Sequence, residues 1–113
     1  METETKHTRE PWELRETHED QIEISTKSRA GMAPIATVEV GFTEPFDSEQ
    51  RAYARLIAAA PDLLAALEAD EAAFAMTIGD GRDHATRARR KLEATVKARQ
   101  MMRAALAKAR GEV

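Results

Sequence analysis

A chain of 113 residues with 33% charged side chains, 4% aromatics and no cysteine is sized for one domain with a modest core. It excludes a disulfide framework, a thiolate metal site and a thiol nucleophile, and it favours a helix-rich protein over a β-sandwich. The net charge of −3 conceals two opposed halves: residues 1–79 carry 16 acidic and 7 Lys/Arg side chains, a balance of −9, while residues 80–113 carry 4 and 10, a balance of +6. Such asymmetry points to a polyanion-facing tail, or to halves that attract each other within or between chains.

In chain order, residues 1–10 are polar, predict a flexible N-terminus and lack the apolar stretch of a signal peptide. A β-meander is predicted over 11–42. After Pro11, Trp12 and Leu14 alternate with Glu13 and Arg15 in a first strand, and Thr17 to Asp20 form a polar turn. Ile22 and Ile24 mark a second strand. Lys27 to Ala33 form a loop in which Gly31 is free to take positive φ. Ala36, Val38, Val40 and Phe42 share one face of a third strand. Short connections favour antiparallel pairing.

A helix is predicted over 47–76, with Asp47 as its N-cap and Gln50 completing a capping-box pattern. Tyr53, Leu56, Ala60, Leu63 and Leu67 recur at helical spacing, widened by Ile57 and Leu64. That stripe is the natural cover for the meander, so Leu56, Ile57, Leu63, Leu64 and Leu67 are expected against Trp12, Ile22, Ile24, Val38 and Val40. Pro61 lacks the N–H that would bond the Ile57 carbonyl, and the helix either kinks or breaks there. Gly79-Asp80-Gly81 reads as a turn. A long basic C-terminal helix is predicted over 80–110, with Ala85, Ala88, Leu92, Val96, Met102 and Leu106 in a narrow stripe that holds Arg99. The fold class is α+β, a single domain spanning 1–113.

No motif with catalytic or metal-binding mechanics stands out, so no enzyme activity, cofactor or metal is expected. His7, His18 and His84 lie in three separate segments, without chelating spacing. The segment Gly79 to Asp83 lacks the oxygen ligands of a calcium loop. Glu68 and Glu71 read as a solvated helix face. The basic residues are more informative. Arg87, Arg89, Arg90, Lys91, Lys97, Arg99 and Arg103, with Arg82, Lys108 and Arg110 beyond them, suit phosphate or nucleic-acid contact, although no interleaved aromatics are present to stack bases. The bland alternative is a solvated face paired with carboxylates. Arg99 stands apart, because a charge inside an apolar stripe needs a carboxylate, water or a ligand.

His7-Thr8, Pro11-Trp12, the run Ile35 to Val38 and the run Tyr53 to Leu67 together resemble a recurring type of small phage and prophage protein of unassigned function. Members tend to show His-Thr, Pro-Trp, an Ile-Ala-x-Val strand and a helix close to Asn-Ala-x-Leu-Ile-Ala-Ala-Ala-Pro-x-Leu-Leu-x-Ala-Leu. Tyr53 replaces the usual Asn, and Arg9-Glu10 replaces a Gly-containing spacer. The resemblance covers roughly residues 7 to 70 and leaves out the basic helix. It implies a phage accessory product in the cytoplasm of a bacterial host, and it supplies no catalytic residue.

The functional expectation is a non-enzymatic phage accessory protein that binds stoichiometrically and antagonises a host defence component or its signal. The alternative is a nucleic-acid or nucleotide binder using the basic helix. The expected partners are a second copy of the chain or a host protein, and no membrane. A 28-residue helix from Asp83 to Arg110 would reach roughly 42 Å, further than a compact domain of this size can support. Leu92, Val96, Met102 and Leu106 are therefore candidates for self-association, unless the helix folds back antiparallel on the one before it.

Overall fold

The computed structural model describes residues 10–18, 20–29, 31–41, 43–78 and 83–112, and His18 by its backbone alone. The expected flexible N-terminus with His7, Phe42 at the end of the third strand, and the Gly79–Gly81 turn with Arg82 lie outside or mostly outside these residues.

Alternating apolar residues build three strands, β1 (Glu13–His18), β2 (Gln21–Ser25) and β3 (Ala36–Glu39). They pair antiparallel in the order β1-β2-β3, the expected meander. Leu14 lies opposite Ile24, and Ile22 opposite Val38. β1 runs on to His18, so the predicted polar turn is shorter than its sequence suggests. The 27–33 loop holds a 3-10 turn at Lys27–Arg29, and Gly31 takes φ of 82°. The Val40 N–H donates to the Asp20 carbonyl, extending the pairing by one step. The period of two places Ile22, Ile24, Val38 and Val40 in the core.

The first helical segment begins earlier than predicted. α1 spans Phe46–Ala58, and no side chain caps it. The Asp47 N–H already bonds the Thr43 carbonyl at 3.1 Å, so Asp47 sits inside the first turn. Its carboxylate accepts from Arg51 Nε one turn on, at 3.0–3.1 Å. Arg51 also donates to Glu16 of β1, which ties α1 to the sheet. The Glu16 hydrogen bond, followed by that of Asp47, raises the pKa of Arg51 above the ordinary arginine value. Gln50, expected in a capping box, donates instead to the Glu39 carbonyl at 3.0 Å.

The chain breaks after α1 rather than kinking. α2 spans Ala60–Ala75, and Ala59 forms the one-residue turn between the two helices. Pro61 lies in the opening turn of α2, where its missing N–H costs nothing. Backbone bonds still cross the break, from Ala59 to Arg55 at 3.0 Å and from Leu63 to Ala59 at 2.9 Å.

The leucine stripe is not the cover of the meander. The sheet packs on Ala54 and Ala58, with Ile57 and Trp12 at the margin. Tyr53, Leu56, Leu64 and Leu67 are all exposed, and Leu63 is half-buried. Small side chains let the twisted sheet approach the helix backbone, and the larger residues on either side of them turn outward.

α3 (His84–Arg110), about 40 Å long, folds back on α2 as a helical hairpin. The contact is an alanine seam. Ala59 in the turn and Ala66 and Ala73 of α2 recur every seven residues, opposed by Ala98 and Ala105 of α3, and all five are buried. Asp62 Oδ2 pairs with Lys108 Nζ at 2.7 Å near one end. At the other end, Lys91 Nζ lies 5.8 Å from the Phe74 ring centroid. α3 ends at Gly111, whose φ of 75° suits glycine. There Gly111 N–H bonds the Lys108 carbonyl and Glu112 N–H bonds the Ala107 carbonyl, a Schellman closure. The molecule is elongated, 63 × 31 × 22 Å, because much of the hairpin lies beyond the sheet.

Candidate binding surfaces of the hairpin

A seven-residue seam fixes which side chains lie on each side of the hairpin. Residues three and six positions after a seam alanine turn to one flank, and residues one and four positions after it turn to the other. The two helices are antiparallel, so equal offsets fall on the same side of both. A cleft lined by Asp62, Ala65, Met101, Ala104 and Lys108 marks the first flank. All five of those residues have offsets of three or six, and Ala105 of the seam lines the cleft with them.

The second flank is apolar. It presents Ala60, Leu63, Leu67, Asp70 and Phe74 from α2, and Leu92, Thr95, Arg99, Met102 and Leu106 from α3. Phe74 is 82% exposed, Leu92 63% and Leu67 60%. Three of the four expected self-association residues, Leu92, Met102 and Leu106, lie here, and Val96 sits beside them on the outward edge, 48% exposed. Of its α2 half, helical periodicity assigns Leu63 and Leu67 to the core under the sheet. The flank's signal in the sequence is the seven-residue spacing of Ala59, Ala66 and Ala73, which places the leucines beside the seam rather than on it.

The basic residues do not form one face. Arg87 and Lys91 turn toward the C-terminal end of α2, and their side chains donate to the Ile78 and Phe74 carbonyls at 3.4 Å. There they complement the negative pole of that helix. Arg87 also lies 3.9 Å from Asp83. Arg90 and Lys97 fall on the cleft flank, and Arg89 and Arg103 point outward. Arg99 belongs to the apolar flank. Arg89, Arg90, Lys97, Arg99 and Arg103 make no ion pair with any described residue. Arg99 therefore meets its requirement by reaching water in the single chain.

A smaller apolar groove lies where Trp12 meets Ala60, Pro61 and Leu64. The buried Trp12 Nε1 has no hydrogen-bond partner among the described residues. Of the histidines, His84 opens α3 and His18 ends β1. Among the described residues no group of three or more His, Asp or Glu side chains is gathered to hold a metal ion. No described helix is long and apolar enough to cross a membrane.

No curated protein and no solved structure matches the chain. A family model does match, and over residues 1–113 it includes the basic helix that the Pro-Trp and Leu-Ile-Ala-Ala-Ala-Pro resemblance left out. Strand, broken helix and hairpin are thus all part of one family pattern, and the chain belongs to the family described as Salmonella phage P22 protein Y8K6.

Proposed function

We propose that this phage-family protein is a non-enzymatic accessory factor that acts by stoichiometric binding in the host cytoplasm. The observation that carries this reading is the hairpin. A helical rod extends from the sheet and presents solvent with an apolar flank and unpaired arginines. Soluble proteins rarely leave a contiguous apolar surface of this kind without a partner. The target class we propose is a host defence component or the signal it makes, and membership in a phage family supports that choice. The test is affinity purification from infected cells with mass spectrometry of both proteins and small molecules. Recovery of a defence protein or signal nucleotide in near-equal amount, lost on the paired substitution of Arg89 and Arg103 by Glu, is the expected result. Recovery that is unchanged by that substitution would count against the hairpin as the binding element.

A second reading is polyanion binding through α3. It is favoured by Arg89, Arg90, Lys97 and Arg103, which have no carboxylate partner among the described residues. Replacing Arg89, Arg90 and Lys97 by Ala should then weaken nucleic-acid or nucleotide binding and flatten its salt dependence. Absence of binding by the wild type at low salt removes this reading.

A further inference from the structure

We infer that the apolar flank of the hairpin is the surface on which a second copy of this chain docks, forming an antiparallel four-helix bundle sealed by Asp70 of each copy against Arg99 of the other. The argument begins from the flank itself. Along α2 its residues fall three and four apart, at Ala60, Leu63, Leu67, Asp70 and Phe74, which is a second apolar seam beside the alanine seam. Along α3 the same spacing gives Leu92, Thr95, Arg99, Met102 and Leu106. Each seam holds a single charged residue, and the two charges are opposite.

The heights of these residues agree. The Asp62–Lys108 pair and the Lys91–Phe74 contact fix the register of the hairpin. In that register Leu63 lies level with Leu106, Leu67 with Met102, Asp70 with Arg99, and Phe74 with the span from Leu92 to Val96. Asp70 and Arg99 nevertheless form no ion pair with each other or with any other described residue. Their carboxylate and guanidinium are both available to a neighbour.

Charge selects the symmetry. α2 carries Asp62, Glu68, Asp70 and Glu71 with no basic residue, whereas α3 carries nine Lys/Arg and one acidic residue, Glu93. Stacking two flanks about a two-fold axis across the helices would lay acidic α2 on acidic α2. A two-fold axis parallel to the helices lays the α2 of each copy on the α3 of the other, antiparallel and level for level. Every neighbouring pair in the bundle is then acid on base. Leu67 meets Met102 of the partner subunit, and Asp70 meets the partner's Arg99. The packing is that of antiparallel four-helix bundles, in which a second apolar position on each helix closes the core. The assembly leaves the outward Arg89 and Arg103 free. It does not depend on what the protein binds.

Sedimentation velocity of the full chain at tens of micromolar tests this. The expected species has twice the 12.5 kDa chain mass. Asp70→Arg alone and Arg99→Asp alone should each weaken self-association by at least about tenfold, because like charges then face each other. An equimolar mixture of the two variants should recover a dimer, since each supplies the charge that the other lacks. A monomeric wild type would overturn the proposal. A wild-type dimer unaffected by either substitution, or a mixture that stays monomeric while both variants keep wild-type circular dichroism, would overturn it as well.

Discussion

The two ends of this molecule are held together by opposite uses of side-chain size. Under the sheet, Ile22, Ile24, Val38 and Val40 supply apolar area, and the helix that receives them offers Ala54 and Ala58. In the hairpin, alanine faces alanine, and the large residues stand beside the seam. The first arrangement stabilises by removing hydrocarbon from water, which scales with area. The second stabilises by bringing two backbones close together, so it tolerates loss of volume poorly suited to the gap far better than gain of volume. One end therefore fails when side chains shrink and the other when they grow.

The largest expected effect is at the sheet. Ile24 has no exposed surface, and Ile24→Ala should cost about 2–5 kcal/mol, read from denaturant unfolding. A loss below ~1 kcal/mol would show that the site collapses and that the sheet core is not the principal store of apolar area. Next comes the converse change in the hairpin. Ala98 is fully buried on the seam, and Ala98→Leu should cost about 1–3 kcal/mol by forcing the helices apart. A stabilised variant would contradict close alanine packing.

At the end of α3, Gly111→Ala asks for a left-handed residue with a side chain. Its Cβ would lie 2.7 Å from Arg55 Cδ, so the flexible arginine must also move. A loss of about 1 kcal/mol in thermal unfolding is expected. The smallest effect should come from the residue that sequence periodicity ranks among the most buried. Leu56 is 53% exposed, and Leu56→Ala should change stability by less than about 0.5 kcal/mol. A loss comparable to that of Ile24→Ala would restore the leucine stripe as the cover of the sheet.

The elements were far more legible in the sequence than the faces they use. Strand alternation in Trp12–Arg15, Ile22–Ile24 and Ala36–Val40 gave the meander, and in its second and third strands the inward residues, because a strand has only two sides; Leu14 of β1 stays 39% exposed at the edge of the sheet. Pro61 announced an interruption, and backbone chemistry left only kink or break to be decided. Helix limits were less legible at Asp47, whose carboxylate could serve either as a cap or as a partner for Arg51. The bond from its own N–H to Thr43 settled that choice. The candidate site was half legible. Leu92, Met102 and Leu106 stand on the apolar flank, whereas Leu67, which periodicity assigns to the sheet core, and Phe74 complete it from α2. The basic cluster was legible as composition but not as a surface, because its residues spread around α3.

Three strands, a helix interrupted at Pro61, a long basic helix and the opposition of charge between halves follow from the residues alone. Each of these depends on local periodicity, proline and glycine geometry, or simple counting. Which side of each helix is buried emerges only from packing. On α1 and α2 the leucine and alanine stripes lie a single position apart, and hydrophobicity favours leucine. Close approach of one backbone to another favours alanine, and that preference exists only once a second helix or a sheet is in place.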